Sequence, residues 1–165
     1  MALTVRPFLP DEASVLREIR LEALADTPPA FAERVDVARA MDGEDFTDAL
    51  AEGSVWGAFL EGACVGMAGL ARFVGSNVEH KATVWGVYVS PSGRGSTGAA
   101  EALFKAIIAH AADTGLEVLE LGVGDFNDRA KRFYARMGFQ PYGFEHRAVK
   151  LDGRYYDEVL MSLHL

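Results

Sequence analysis

The stretch from residue 82 to residue 139 alternates strand and helix patterns, and this order constrains the fold more than any other feature of the chain. The patterns predict a strand over 82–89, an Ala-rich helix over 96–112, a second strand over 116–123 and a short helix over 127–137. Two strands joined by a helix in one sheet pair in parallel through a right-handed crossover. The second half of the chain therefore predicts a parallel strand pair.

The rest of the chain has the sequence pattern of an antiparallel sheet, with strand-like runs separated by short turns. Strand-like runs at 55–60 and 64–73 are separated by a Glu-Gly turn, and an Asp-Gly pair at 152–153 separates two further runs near the C-terminus. Short turns between β-rich runs are typical of hairpins. Together with an edge strand near the N-terminus, these runs predict an α/β fold with a mixed, mostly antiparallel sheet of about six to seven strands and about four flanking helices.

The helical segments of the first third are less regular. Apolar residues recur at helical spacing up to about Ala25, and Asp11 is suited to cap this helix. Weaker helical patterns cover 30–40 and 44–52, with Gly53 as the expected stop of the second one.

Composition favours one soluble domain over residues 1–165, since half of the residues are apolar and no linker or repeat interrupts the chain. No apolar run approaches the roughly 20 residues of a membrane helix, and the N-terminus lacks the pattern of a signal peptide. Cys64 is the single cysteine, so an internal disulfide is excluded and a buried, inert thiol is the favoured interpretation. We expect a cytoplasmic protein that does not associate with membranes.

The formal net charge of −8 argues against nucleic-acid binding, which needs a basic face to displace counterions. It is compatible with attraction of a cationic acceptor, although solubility explains it as well. None of the four histidines is spaced with other ligands in a way that predicts a metal site.

A glycine-rich turn, Gly-Arg-Gly-Ser-Thr-Gly-Ala at 93–99, joins the first strand of the parallel pair to the long helix. Backbone N–H groups in such a turn, together with the positive end of the helix, can hold an anionic phosphate. Glycines allow this because a side chain would keep the phosphate at a distance. The turn therefore predicts a site for a phosphate-bearing ligand.

The same glycines, Gly93-x-Gly95-x-x-Gly98, also match the fingerprint of dinucleotide-binding oxidoreductases, with Glu117 and Glu120 near the place of the ribose-binding acid. That fingerprint puts its first glycine directly at the end of the strand, whereas three residues intervene here. A dinucleotide-binding oxidoreductase is therefore the second-ranked hypothesis.

The segment 127–139 reads Asn-Asp-Arg-Ala-Lys-Arg-Phe-Tyr-Ala-Arg-Met-Gly-Phe. It predicts a short helix that opens on Asn127, carries Tyr134 and ends at Gly138. Following the glycine-rich turn, this segment resembles the Gcn5-related N-acetyltransferase (GNAT) family, whose members transfer an acetyl group from acetyl-CoA to an amine. The resemblance extends over nearly the whole chain, and residues 84–139 carry most of its specificity.

The resemblance implies a binding site for acetyl-CoA. In the family, the strand before the turn leaves its parallel neighbour at a bulge, which Gly86 would accommodate, and the pantetheine arm pairs with its backbone. The turn departs from the family pattern at Thr97, which replaces a glycine and brings either a Cβ or a hydroxyl donor near the phosphates. The implied cofactor-binding residues are Val87, Tyr88, Val89, Arg94, Gly95, Ser96, Thr97, Gly98, Ala99 and Asn127. Lys131 and Arg132 are alternatives for the phosphates, with a solvated helix face favoured for both.

The resemblance also implies that Tyr134 is the acid that protonates the departing thiolate, and that a backbone N–H stabilises the oxyanion. The base is not evident, because the strand over 82–89 carries no acidic side chain. Glu79, His80 and Asp125 could act through water, although each fits a plain loop residue better. An acceptor amine that is already partly neutral would need no base.

The acceptor is expected to be a primary amine of a small molecule or a peptide, acetylated without a covalent enzyme intermediate or a metal. Residues implied to line its pocket, together with the loop before residue 80, are Phe31, Glu33, Trp85, Tyr155 and Tyr156, of which Phe31 and Trp85 fit a core position equally well. Members of the family often pair through their C-terminal strands, so a homodimer is a further expectation. A non-catalytic acyl-CoA-binding module is the remaining alternative.

Overall fold

A single seven-stranded sheet organises the computed structural model, which describes residues 2–51 and 54–165. The strands are β1 (Leu3–Pro7), β2 (Val55–Leu60), β3 (Ala63–Arg72), β4 (Lys81–Val89), β5 (Val118–Gly124), β6 (Gln140–Leu151) and β7 (Arg154–His164). The helices are α1 (Ala13–Asp26), α2 (Val35–Ala40), α3 (Gly43–Ala51), α4 (Ala99–Asp113) and α5 (Asp128–Arg136). The predicted mixed sheet is confirmed, with five α-helices in the described residues rather than about four.

The strand order is β1-β2-β3-β4-β5-β7-β6, and within the described residues β4 and β5 form the one parallel pair. The predicted crossover through α4 therefore exists. β7 inserts between β5 and β6, so the C-terminal hairpin places its second strand inside the sheet and leaves β6 at the edge. The hairpin turn is Asp152-Gly153, and both residues have positive φ, as a two-residue hairpin turn of this type requires.

The N-terminal third differs most from its prediction. Glu12, rather than Asp11, precedes α1, and no side chain caps that helix. The helix predicted over 30–40 is a single 3₁₀ turn at Pro28–Ala30 followed by the short α2. Two consecutive prolines separate this turn from α1, because proline lacks the N–H that would continue that helix. Gly53, the expected stop of α3, lies outside the described residues.

Two apolar cores cover the two faces of the sheet. The larger core packs α4 and α5 on one face and includes Leu103, Phe104, Leu119 and Phe139. The smaller core packs α1 and α3 on the other face. No helix among the described residues is both long and apolar enough to span a bilayer.

Candidate active site

The parallel pair β4–β5 opens halfway along its length. Its register joins only Lys81–Thr83 of β4 to Val118–Glu120 of β5. β5 itself continues to Gly124, paired along its other edge with β7 over its whole length. Residues 84–89 of β4 therefore have no partner strand on the β5 side, and their backbone groups on that edge are free to pair with a ligand.

A bulge in β4 lies at the start of this opening. The register with β3 shifts between Met67 and Gly69, and Gly86 has a φ of +62°. A side chain is disfavoured at this backbone angle, so Gly86 accommodates the bulge as the sequence predicts. The extra residue also changes the alternation of the strand. Trp85 and Tyr88 consequently pack with the smaller core, although they are three residues apart.

Three glycines of the turn after β4 have different physical roles. A Cβ on Gly93 would stand 2.9 Å from atoms of Val65, so this glycine lets the turn pack closely on β3. Gly95 and Gly98 have φ values of +77° and +72°, and a Cβ on either would project into open space. These two glycines therefore shape the backbone and leave its outer side accessible to a ligand.

The turn offers backbone donors at the N-terminus of α4. Within the described residues, the N–H groups of Gly95, Ser96 and Thr97 have no hydrogen-bond acceptor. They lie where the positive end of the α4 dipole favours an anion. This combination of free donors and helix dipole can hold a phosphate group.

Two side chains of the turn are already hydrogen-bonded within the protein. The Thr97 hydroxyl donates to the carbonyl of Gly93, so it is not the phosphate donor that its position allowed. The Arg94 guanidinium donates to Asp26 at 2.6 Å and to the Val89 carbonyl at 2.8 Å. Arg94 holds the pKa of Asp26 below its usual range through this hydrogen bond. The groups of the turn that are left available to an anion are therefore those of the main chain.

The helix α5 begins and ends as its sequence predicts. The Asn127 side chain accepts a hydrogen bond from the Ala130 N–H at 3.1 Å, which is an N-cap contact. Gly138 has a φ of +99°, and the Phe139 N–H donates to the Tyr134 carbonyl. These ends fix the helix beside the opening between β4 and β5, and they place Tyr134 on its inner side.

Tyr134 is held in an aromatic cluster and has 8% of its surface exposed. The rings of Phe104, Phe133 and Phe139 lie 5.4, 5.6 and 6.1 Å from its ring. Within the described residues, no hydrogen bond to its hydroxyl is present. Burial raises the pKa of Tyr134, so the phenol is protonated at neutral pH, and the same burial makes it a weaker acid than an exposed tyrosine.

A cleft of about 850 Å³ connects these features. The volume falls within the roughly 300–1,000 Å³ of small-molecule and cofactor sites. Of the predicted site residues, the cleft is lined by Val87, Tyr88, Val89, Arg94, Gly95, Gly98, Ala99, Asn127 and Tyr134. Ser96 and Thr97 belong to the same turn but do not line the cleft.

Two arginines on the cleft were not predicted. Arg129 and Arg136 line it from α5, together with Phe133. Their spacing of four and seven residues is that of one helix face, and this periodicity is the signal that could have found them. Lys131 faces elsewhere and pairs with Asp125 and Asp128 at 3.1 Å each, in keeping with the favoured solvated face.

The opposite end of the cleft reaches the face of the sheet that α1 covers. Phe31 and Trp85 line it there, and the Arg20 guanidinium lies 5.3 and 5.8 Å from their rings. Arg20 pairs with Glu33 at 3.4 Å, while its Nη1 atom is buried with no partner in the described residues. Burial lowers the pKa of Arg20. This end of the cleft is therefore aromatic, with a charged pair behind it.

A second cavity of about 440 Å³ adjoins this end and shares Phe31 with the cleft. It lies between the segment 28–36 and the residues 149–152 of the C-terminal hairpin, and Glu33 is part of its wall. Tyr155 and Tyr156 line neither space. Tyr156 instead packs on Phe126 with ring centres 5.8 Å apart.

The candidate general bases named from the sequence are poorly placed to reach the opening between β4 and β5. Glu79 and His80 precede β4, so most of the strand separates them from the opening at its other end. The loop before residue 80 is for the same reason not part of the cleft wall. Asp125 is nearer, at the end of β5, but it is paired with Lys131.

Two further groups have no evident part in the chemistry. Burial raises the pKa of the Cys64 thiol to about 11, which makes this half-buried side chain a poor nucleophile at neutral pH. Across residues 2–51 and 54–165, no group of three or more His, Cys, Asp or Glu side chains is arranged to hold a metal ion.

The oxidoreductase alternative conflicts with this geometry. A dinucleotide fold needs a doubly wound, mostly parallel sheet, whereas the described strands contain the single parallel pair β4–β5. The 3₁₀ turn Pro91–Gly93 also separates β4 from the glycines, so the backbone does not turn directly at the strand end.

Known proteins share this fold. A ribosomal-protein-alanine N-acetyltransferase from Brucella melitensis has a TM-score of 0.83 at 23% identity, with 98% of this chain and 99% of that chain covered. An acetyltransferase of the GNAT family from Streptococcus pneumoniae has a TM-score of 0.87 at 21% identity, covering 99% and 100%. The protein yncA of Salmonella typhimurium, whose structure holds its cofactor acetyl-CoA, has a TM-score of 0.84 at 21% identity, covering 100% and 95%.

Sequence comparison agrees with the structural one. An uncharacterised N-acetyltransferase of Mycobacterium tuberculosis is 38% identical over 105 residues, which are 64% of this chain, and the match spans 63% of that relative's length. The sequence model of the acetyltransferase (GNAT) family matches residues 17–139. This range contains the opened strand pair, the glycine-rich turn and α5, and the chain therefore belongs to the acetyltransferase (GNAT) family.

Proposed function

We propose that the protein is an N-acetyltransferase that transfers the acetyl group of acetyl-CoA directly to a primary amine of a small molecule or a peptide. The observation that carries this proposal is the opened β4–β5 pair, which ends at a turn with free backbone donors. An extended thioester with a diphosphate at one end fits this shape, and the Salmonella relative holds acetyl-CoA.

The cofactor would be held mainly by backbone groups. The diphosphate binds the free N–H groups of the turn at 95–97, with the α4 dipole favouring its negative charge. The pantetheine arm lies along residues 84–89 and pairs with the free edge of β4 as an added strand. Asn127 and the arginines of α5 border the arm and the phosphates from the other side.

The reaction follows from groups around the opening. An amine attacks the thioester carbonyl, and a backbone N–H at Val87 or Tyr88 stabilises the resulting oxyanion. The C–S bond breaks as the carbonyl re-forms, and Tyr134 gives its proton to the departing sulfur. The phenol then recovers a proton from solvent. Because the Cys64 thiol has a raised pKa and lies apart from the cleft, direct transfer is favoured over an acyl-enzyme.

Two measurements test this function. Calorimetry with acetyl-CoA and with NAD⁺ should show one binding site for the thioester and none for the dinucleotide. Release of free thiol from acetyl-CoA should then follow with at least one member of a panel of aminoglycosides, polyamines, amino acids and N-terminal peptides. Binding of acetyl-CoA without thiol release from any amine would instead identify a non-catalytic acyl-CoA-binding module. Absence of acetyl-CoA binding would contradict both.

A further inference from the structure

Glu158 lies on the inner strand of the C-terminal hairpin, which is separated from the opening by β5. In the register of β7 it is opposite Gly124 of β5 on one side and Glu145 of β6 on the other. Its neighbours Val159 and Met161 contribute to the core under α4 and α5. Because side chains alternate along a strand, Glu158 projects from the other face of the sheet, away from Tyr134.

A missing side chain on β5 makes room for the Glu158 carboxyl group. A Cβ on Gly122 would stand 2.5 Å from Oε2 and 3.3 Å from Cδ of Glu158. Gly122 itself lines the cleft. The Glu158 carboxyl group therefore packs against Gly122, a residue of the cleft wall, although Glu158 itself is not one of the residues that line the cleft.

Most carboxylates nearby are already paired, and Glu158 and its cross-strand neighbour Glu145 differ from them. Paired acids around the opening, each followed by its partner, are Glu120 with Lys81, Glu22 with Tyr88, Asp26 with Arg94, Glu33 with Arg20 and Asp125 with Lys131. No hydrogen bond or ion pair joins Glu158 to another described residue, and its side chain is only half-exposed. A carboxylate in this state is ready to accept a proton.

The electrostatic surroundings of Glu158 also favour its acting as a proton acceptor. Burial is the main cause of a raised pKa for Glu158, and the charge of Glu145 on β6 adds to it. From β5 the carboxylate is faced by Gly122 and Gly124, which bring no charge. A carboxylic acid of raised pKa is a better match for proton transfer near neutral pH than an ordinary glutamate.

We propose that Glu158 is the general base of the acetyl transfer, and that the acceptor is correspondingly a primary alkylamine, which is mostly protonated at neutral pH. The proposal rests on the proposed function and adds the group that the sequence did not provide. Glu158 and Tyr134 would then act from opposite faces of the sheet, with the thioester between them.

The proton balance of this step is simple. Glu158 takes one proton from the alkylammonium, directly or through one water, and the neutral amine attacks the thioester carbonyl. The nitrogen of the tetrahedral intermediate loses a second proton to solvent water, the sulfur gains one from Tyr134, and the Tyr134 phenolate recovers one from solvent. The products are the amide, the free thiol and one proton, which Glu158 returns to solvent.

The test compares Glu158→Gln with Glu145→Gln, using an alkylamine of the panel that the wild type acetylates. At pH 7 we expect Glu158→Gln to lower kcat/KM by about 100-fold or more, the usual contribution of a general base. The acidic limb of the wild-type profile should follow the raised pKa of Glu158, so activity falls as pH drops through it. Glu145→Gln removes a like charge, and it should move this limb to lower pH with little loss of activity.

Each outcome has a distinct meaning. Acetyl-CoA affinity, measured by calorimetry, should stay within twofold of the wild type in both variants, which shows that they fold. A wild type that acetylates no amine overturns the proposed function itself. An active wild type whose kcat/KM is unchanged by Glu158→Gln, or whose acidic limb stays in place in Glu145→Gln, overturns the assignment of the base alone.

Discussion

The two ends of the cleft are built in different ways. The end assigned to the cofactor comes from one continuous stretch, residues 84–139, in which strand, turn and helix follow one another. The end assigned to the acceptor combines Phe31 and Trp85 of the cleft wall with Glu158, which packs on Gly122 of that wall, and these three side chains are far apart in sequence. A contiguous site can be read from local spacing, whereas a dispersed one depends on strand order. We therefore expect substitutions at the two ends to separate cofactor binding from acceptor use.

The largest expected effect is a loss of acetyl-CoA affinity caused by a substitution in the glycine-rich turn. In Gly98→Asp, a carboxylate would project into the open space over the turn, and like charges about 4 Å apart repel by roughly 4 kcal/mol at an effective dielectric constant of about 20. Calorimetry should show acetyl-CoA affinity reduced by about 1,000-fold. Gly115→Asp is the matched control, since Gly115 has a φ of +81° and open space at the other end of α4. Equal affinity losses in both variants would exclude the turn as the phosphate site.

The next effect separates chemistry from binding. Tyr134→Phe removes the hydroxyl and keeps the ring packing, so kcat should fall by about 100-fold while the Kd for acetyl-CoA changes less than twofold. Tyr88→Phe is the control, because the Tyr88 hydroxyl donates to Glu22 at 3.1 Å, away from the reacting atoms. Steady-state thiol release provides both kcat values. An unchanged kcat in Tyr134→Phe would remove its role as the acid.

A smaller effect is expected at the acceptor end. Phe31→Ala removes a ring shared by the cleft and the second cavity, and the KM for the amine should rise by about tenfold, or roughly 1.4 kcal/mol. Val37→Ala, on the exposed side of α2, should leave KM unchanged. If Phe31→Ala weakened acetyl-CoA binding instead, the division between the two ends of the cleft would be wrong.

The smallest expected effect is a change in the free energy of unfolding when the N-cap of α5 is removed. Asn127→Ala removes the N-cap contact to Ala130, which should lower the free energy of unfolding by about 1 kcal/mol. Asn77→Ala, in an exposed turn, should change it by less than about 0.5 kcal/mol. Urea unfolding measures both. Equal stabilities would show that the cap does not hold this helix.

The cofactor end was predictable because its local signals agree. Gly86 marked the bulge, Gly95 and Gly98 marked the turn, and Asn127 with Gly138 marked the ends of α5. In each case a residue type matches a backbone conformation that few other residues adopt. The strand order of the parallel pair followed from the same stretch, because a helix between two strands enforces the crossover.

The acceptor end could not be predicted for a physical reason. Glu158 approaches the opening because β7 inserts between β5 and β6 and because Gly122 lacks a side chain, and neither contact is local in sequence. The side chains of Arg94 and Thr97 were also unpredictable, since their partners Asp26 and Gly93 are fixed by tertiary packing and by the turn geometry. Residue spacing in the sequence predicts where a residue lies on a helix or strand, but it does not predict which group its side chain contacts.

The central claim is that the opened strand pair and the turn after it hold acetyl-CoA. A crystal structure of the protein grown with acetyl-CoA tests it most directly. We predict diphosphate oxygens within about 3.2 Å of the backbone nitrogens of residues 95–97, and pantetheine amides paired with the free edge of β4 over residues 84–89. Acetyl-CoA bound at another place, with this edge unpaired, would contradict the account.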